Sequence, residues 1–256
     1  MNQIRNMVQK STRVSVITLT WNHLEYTKKA IESIATILTP HDELIIIDNH
    51  STDGTLDYIS HLSLQCPVVS IMNLEQQSIA KSYNLALRQG NGKYFFLFDN
   101  DMEIVMSNTL DHLIQTAEQA DDIGIVTPYC NNIVGRSRCC ASKEKLPYTI
   151  TEIKTKRKRN YPMCPSAGWL ITRNCIEKVG YFDERFTEYG ILDFDYAKIV
   201  LNSGLKILAD GFVFIQHYGS ITAKEYVNSD MLRRMGMVFS EKWGLKKGVP
   251  KGMIRR

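Results

Sequence analysis

Several signatures are missing from this 256-residue chain. No apolar run reaches the length that a bilayer-spanning helix needs, and the start, MNQIRNMVQKSTR, lacks the apolar core of a signal peptide. The six cysteines, Cys66, Cys130, Cys139, Cys140, Cys164 and Cys175, form no CxxC pair and no Cys/His spacing of a zinc site. They read as reduced thiols, so the expected location is the cytoplasm. A G-x-G-x-x-G pattern and a GxxxxGK[ST] phosphate loop are both absent, which lowers nicotinamide and ATPase readings. The net charge of +4 is too mild to imply nucleic acid. Apolar residues at 44% and charged residues at 23% are ordinary for a globular protein, and the length suffices for a full core.

What the chain does have centres on Lys93 to Glu103, KYFFLFDNDME. The unbroken apolar run Tyr94 to Phe98 reads as a buried strand ending at Asp99, Asn100 and Asp101. In open α/β sheets ligands bind beyond the carboxyl ends of strands, where two nearby carboxylates can converge on one hard cation. An Asp-Asn-Asp turn is equally ordinary loop chemistry, because these side chains hydrogen-bond their own backbone.

Three similar units precede it. Val14 to Leu19 reads as a strand, with Asn22 as N-cap of a helix from Leu24 that carries Thr27, Ala30, Ile31 and Ile34 at helical spacing. Glu43 to Ile47 leads into the polar turn Asp48 to Thr55, capping a short helix through Leu56, Tyr58 and Ile59. Val68 to Met72 is a third strand, followed by a helix over Gln77 to Gln89 and the break Gly90-Asn91-Gly92. The alternation predicts an α/β fold with a Rossmann-like, mostly parallel central sheet flanked by helices. Thr20, Asn22, Asp48, Asn49 and Asp99 to Asp101 then gather at one crevice suited to a nucleotide.

VSVITLTWN, IIIDNHSTDGT, a helix carrying Lys81 and Asn84, and FFLFDND, in that order, resemble family 2 glycosyltransferases. The resemblance implies the GT-A fold and inverting transfer of a sugar from a nucleotide-sugar donor. It implies Thr20 and Asn22 lining the nucleotide pocket, Asp48 meeting the base, Asn84 and Lys81 near the donor, and Asp99 and Asp101 in the metal motif with Asn100 between them. The implied cofactor is Mn2+ or Mg2+, and the family's frequencies favour UDP. Lys81 also reads as a solvated helix charge, and Asn84 as a residue bonding a loop backbone.

Further along, a helix is expected around Asn108 to Ala120 and a strand over Ile123 to Thr127. The basic cluster Lys154, Lys156, Arg157, Lys158 and Arg159 reads as an exposed loop, or as a contact for a lipid-linked acceptor or an anionic membrane face. Trp169 to Thr172 is expected to return to the sheet, with small Ala167 and Gly168 permitting close approach to the backbone. GYFDERF followed by GILDFDYA is similar to the family's FDERF element and acidic pair, with Leu192 where a glutamate is expected and Asp193 in the position of the catalytic base. On a helix Asp193 and Asp195 point about 200° apart, so only one faces an acceptor, and Asp193 is the choice. Leu205 to Ala209 and Phe212 to Ile215 read as short strands or a hairpin closed by Asp210-Gly211. Gln216-His217-Tyr218-Gly219-Ser220 resembles the family's segment near the metal, which makes His217 a third candidate ligand.

The expected organisation is one domain over 1–222, with 12–103 the nucleotide-binding half and 104–222 the acceptor-binding half, then a basic helix and tail over 223–256. In the tail Met231, Met235, Val238 and Phe239 share the spacing of a docking helix. The basic loop and tail suggest peripheral membrane contact, and the acceptor classes left open are a saccharide, a lipid-linked saccharide or a peptide. Two other classes compete: a nucleotidyltransferase, disfavoured because TWNHLEY is no phosphate-gripping loop, and a binding module without catalysis, supported by Leu192.

Overall fold

The computed structural model describes residues 11–131, 139–155, 162, 164, 166–219 and 221–245. The elements run β1 (Val14–Thr20), α1 (Leu24–Ala35), β2 (Glu43–Asp48), α2 (Thr55–Ser60), β3 (Val68–Met72), α3 (Ile79–Gln89), β4 (Tyr94–Leu97) and β5 (Met102–Ile104). They continue through α4 (Thr109–Ala117), β6 (Ile123–Cys130), β7 (Ile150–Glu152), β8 (Leu170–Thr172), α5 (Arg173–Val179), α6 (Leu192–Asn202), β9 (Lys206–His217), α7 (Ile221–Tyr226) and α8 (Ser229–Lys242).

The strands form one mixed sheet in the order β3-β2-β1-β4-β8-β6-β9-β5, with β7 also pairing β9. β3, β2, β1 and β4 are parallel neighbours, and β8 is antiparallel to both β4 and β6. Because β6 is parallel to β9, the strands β1, β2, β3, β4, β6 and β9 all point the same way, and β5 and β7 run against β9. The predicted mostly parallel α/β sheet is present.

Helices cover both faces, which is why the central strands read as continuous apolar runs rather than alternating ones. Successive residues fall into separate cores, following the two-residue period of a strand. Val16, Leu44, Ile46 and Phe96 pack with α1 and α4, through Ile31, Ile34 and Leu113. Ile17, Ile45, Ile47, Phe95 and Leu97 pack with α3, α5 and α6, through Leu87, Ile176 and Val200. A third, smaller cluster of Phe186, Ile191, Met235 and Phe239 docks α8 against the segment leading into α6. The helical spacing of Met235 and Phe239 thus corresponds to a packed helix.

Two local expectations are corrected. Asn22 is not the cap of α1: His23 takes that position at φ 59°, and Leu24 N donates to Asp53 Oδ2 at 2.9 Å. Asn22 is itself left-handed at φ 54°, and its Oδ1 accepts Thr52 N at 2.8 Å, so it ties the loop after β1 to the loop after β2. Asp210-Gly211 does not close a hairpin either. β9 runs on for 12 residues, and its register against β6 jumps from Pro128–Asp210 to Tyr129–Phe214. The buried Asp210 carboxylate satisfies this bulge from within, accepting Phe212 N at 3.0 Å and Thr116 Oγ1 at 2.6 Å. The continuation carries His217 to the sheet edge that holds the ends of β1, β2 and β4.

Candidate active site

At that edge lies a cleft of about 530 Å³. Asp99, Asn100, Asp101 and His217 line it, as do Asp193 and Leu192 from the start of α6. Leu19, Trp21, Asn49 and the segment Gln76 to Ile79 form a wall contributed by the first half of the chain. Thr222, Tyr226, Val227 and Met231, from α7, α8 and the link between them, form a wall that sequence reasoning missed.

The acidic turn is held by the protein around it. Tyr83 Oη donates to Asp99 Oδ1 at 2.6 Å, Ile221 N donates to Asp101 Oδ2 at 3.0 Å, and Asn100 Nδ2 donates to Thr27 Oγ1 at 3.1 Å. His217 Nε2 stands 3.4 Å from Asp101 Oδ1, and its backbone N–H donates to Asn131 Oδ1 at 2.7 Å. Burial, then the Asp101 charge, pushes the Asp99 carboxyl up to about 6 against the opposing pull of Tyr83 and His217. His217 is raised above its ordinary value: burial lowers it, but the hydrogen bond and charge of Asp101 more than offset that. Two crowded carboxylates beside an imidazole make a donor set of hard oxygens and one nitrogen, the kind that divalent ions accept. Among the described residues, no group of three His, Cys, Asp or Glu side chains is arranged to hold an ion by itself. Asp101 and His217, 3.4 Å apart, with Asp99 beside them, are the side chains present that could contribute ligands to such an ion.

On the other side, Ile191 at φ 71° turns the chain into α6, and Asp193 sits in its first turn. Burial is the main cause that pushes Asp193 up to about 6, with backbone N–H groups of Phe194 and Ser166 pulling the other way. Asp195 faces away from the cleft and bonds Lys242 Nζ at 2.6 Å and Trp243 Nε1 at 2.8 Å. Of the two acids, Asp193 alone lines the cleft.

Other candidates stand behind the wall. Asp48 is buried, accepting Ser51 N at 2.9 Å and Thr20 Oγ1 at 3.1 Å, so Thr20 and Asp48 brace the loop after β2. Its neighbour Asn49 reaches the cleft and accepts Gln77 N at 2.8 Å. Asn84 is buried and locks the segment after α5: its Nδ2 donates to Phe182 O and to Glu184 Oε1, each at 2.9 Å, and its Oδ1 accepts Phe182 N at 2.9 Å. Lys81 is exposed on α3 and, like Thr20, Asn22, Asp48 and Asn84, is not among the lining residues. Tyr83 was missed; its one sequence signal was its place on the helix of Lys81 and Asn84. Of the basic loop, Lys154 pairs with Glu152 at 3.4 Å, while Lys156 to Arg159, Ser220 and the tail beyond Leu245 lie outside the described residues.

The model of the family described as glycosyl transferase family 2 matches residues 15–180, well over half the chain. The chain belongs to glycosyl transferase family 2. Among relatives in this family, the Bacillus subtilis protein named for teichuronic acid biosynthesis, the glycosyltransferase TuaG, is 35% identical over 89 residues, covering 34% of this chain and 35% of that one. The chain spans little more than a third of the length of the first curated relatives it matches. Among solved structures, the mannosyltransferase PcManGT from Pyrobaculum calidifontis, in complex with GDP-Man and Mn2+, superposes with a TM-score of 0.65 at 16% identity, over 92% of this chain and 65% of that chain. Residues 1–349 of S. aureus TarS, in complex with UDP-GlcNAc, superpose with a TM-score of 0.64 at 19% identity, over 89% and 66%. The fold is the GT-A fold of these glycosyltransferases.

Proposed function

We propose that the chain is an inverting glycosyltransferase moving a hexosyl or N-acetylhexosaminyl group from a nucleoside-diphosphate sugar, preferably a UDP-sugar, to an acceptor hydroxyl. The observation that carries this reading is the meeting of Asp193 with Asp99, Asp101 and His217 in one cleft at the edge where the parallel strands end. The loops after β1 and β2 and the segment before α3 offer a nucleotide the walls of Trp21, Asn49 and Gln77.

Asp101 and His217 would hold a divalent cation, with Asp99 beside them. Such an ion supplies charge neutralisation for a departing diphosphate. The chain's own residues do the rest. With its carboxyl at about 6, Asp193 is ionised at pH 7.5 and still basic enough to accept the acceptor hydroxyl's proton. As the bond from the anomeric carbon to the diphosphate oxygen breaks, the acceptor oxygen bonds that carbon from the opposite side, and its proton goes to Asp193. Tyr83 holds Asp99 in place, and Tyr226 and Met231 line the cleft.

Relatives named for polysaccharide synthesis support a place in bacterial glycan or glycoconjugate assembly, with a saccharide or lipid-linked saccharide as acceptor. No helix among the described residues is long and apolar enough to cross a membrane. Contact with a lipid-linked acceptor at the cytoplasmic face, through the basic residues of the loop and tail, belongs to the same proposal. The test is UDP release from a panel of nucleotide sugars with Mn2+, with Mg2+ and with chelator. Saturable nucleotide binding with no transfer or hydrolysis for any donor would favour a binding module and overturn the enzyme.

A further inference from the structure

The segment from Phe182 to Asp193 supplies Phe182, Glu188, Tyr189, Leu192 and Asp193 to the cleft wall, and Arg234, Lys242 and the C-cap Trp243 of α8 tie the stretch from Asp183 to Asp195 from behind. Lys242 Nζ bridges Asp183 Oδ2 at 2.8 Å and Asp195 Oδ2 at 2.6 Å. Trp243 Nε1 donates to Asp195 Oδ1 at 2.8 Å. Arg234 forms a forked pair with Glu188, Nη2 to Oε1 at 2.6 Å and Nε to Oε2 at 3.0 Å. The apolar cluster of Phe186, Ile191, Met235 and Phe239 already docks α8. A buried ion pair is weak evidence for stability, since similar apolar packing often does as well, so these polar ties call for another explanation.

The start of α6 provides one. Its cap, Ile191, makes no side-chain hydrogen bond to the helix and is held by apolar packing in the cluster with Met235 and Phe239. Asp195 is 1% exposed, and both its oxygens are engaged by α8. Two residues along a helix turn through about 200°, so a carboxylate pinned on the α8 side aims Asp193 at the cleft. We propose that Lys242, aided by Trp243, is a positioning residue for the reaction: by anchoring Asp195 and Asp183 it sets the rotation of α6 and the seat of the Phe182 to Asp193 wall, and with them the aim of Asp193. This inference rests on the transferase reading, to which it adds the C-terminal helix as a working part.

The experiment uses the full chain with Lys242→Met, Lys242→Arg and Trp243→Phe. It measures kcat and donor KM across pH, the thermal shift given by UDP with Mn2+, and hydrogen exchange of the 182–195 segment. Lys242→Met is expected to lower kcat by roughly tenfold to a hundredfold, the scale of a small misplacement of a reacting group. Donor KM and the UDP shift stay within about twofold, as for an interaction made only in the transition state. Exchange over 182–195 speeds up, and Lys242→Arg, which keeps the charge, restores most of kcat. Wild-type kcat in Lys242→Met overturns the proposal, as does a proportional loss of kcat and UDP binding with no faster exchange in the segment. If Lys242→Met does not fold, Trp243→Phe decides: it removes one hydrogen bond to Asp195, and unchanged kcat and exchange overturn the role. A wild-type chain that transfers no sugar defeats the enzyme reading by itself, and the exchange data then decide whether α8 holds the wall.

Discussion

Replacing Asp193 by asparagine should make the protein more stable and nearly inactive. Burial holds this carboxyl at about 6, against an ordinary value of 3.8. A carboxyl raised in the folded state binds its proton more tightly there than in the unfolded chain, so stability falls as pH rises from 3.8 through 6 and the full cost is present above that. The span from 3.8 to 6 corresponds to about 3 kcal/mol at pH 7.5, and to about 1 kcal/mol at pH 4.5, where the folded carboxyl is already neutral. Asparagine never carries the charge, so Asp193→Asn removes this cost, and at this chain length the gain is a rise in Tm of roughly 6–10 °C at pH 7.5. Thermal unfolding of both proteins at the two pH values, with transfer assays alongside, measures it. The gain should shrink to about a third at pH 4.5, and the variant should still give the UDP shift while turnover falls by roughly 100- to 10,000-fold. Equal gains at both pH values, or no gain, would refute the buried-charge reasoning; full turnover would remove Asp193 from the chemistry.

Four further outcomes follow from the same geometry. Wild-type kcat should climb about tenfold per pH unit below 6 and level off above it if the proposed base Asp193 accepts a proton only once its own has left; a pH–rate profile from 4.5 to 8 checks this. Asp101→Ala, which removes the partner of His217 and the acceptor of Ile221 N–H, should abolish the Mn2+-dependent part of the UDP thermal shift. Asn84→Ala should cost about 2 kcal/mol in urea unfolding, since it leaves the Phe182 N–H and C=O buried without their partner. Gly168→Ala should cost about 1–3 kcal/mol: the residue sits at φ +77°, and a Cβ would lie 2.9 Å from Ile215 Cδ1 and 3.0 Å from Pro128 Cγ.

The sheet was legible because strands buried on both faces betray themselves as apolar runs, and each such run in the first hundred residues is a strand within a residue or so of its expected ends. The acidic turn after β4 was legible for the same reason, as polar residues abutting Phe98. Asp210-Gly211 misled because a turn-forming pair also suits a bulge, and only the buried contact with Thr116, nearly a hundred residues away, distinguishes them. Asn22 misled likewise, since its true partner, Thr52, lies in another loop. Local pattern identified α8 as a docking helix but not its partners, because pairing Lys242 with Asp195 or Arg234 with Glu188 needs the folded chain. Tyr226 had no signal at all: its ring centroid lies 4.3 Å from that of Trp21, and no periodicity links those positions.

That last pairing bears on how the molecule is made. A chain grows from its first residue, so the strands that lead into Trp21, Asn49 and Asp99 leave the ribosome well before α7 and α8. A nascent chain stopped after β9 would own a sheet and an acidic turn but only part of a vessel, open to water where Tyr226 and Met231 belong. The cleft is therefore complete only once α7 and α8 lie against residues made about two hundred positions earlier.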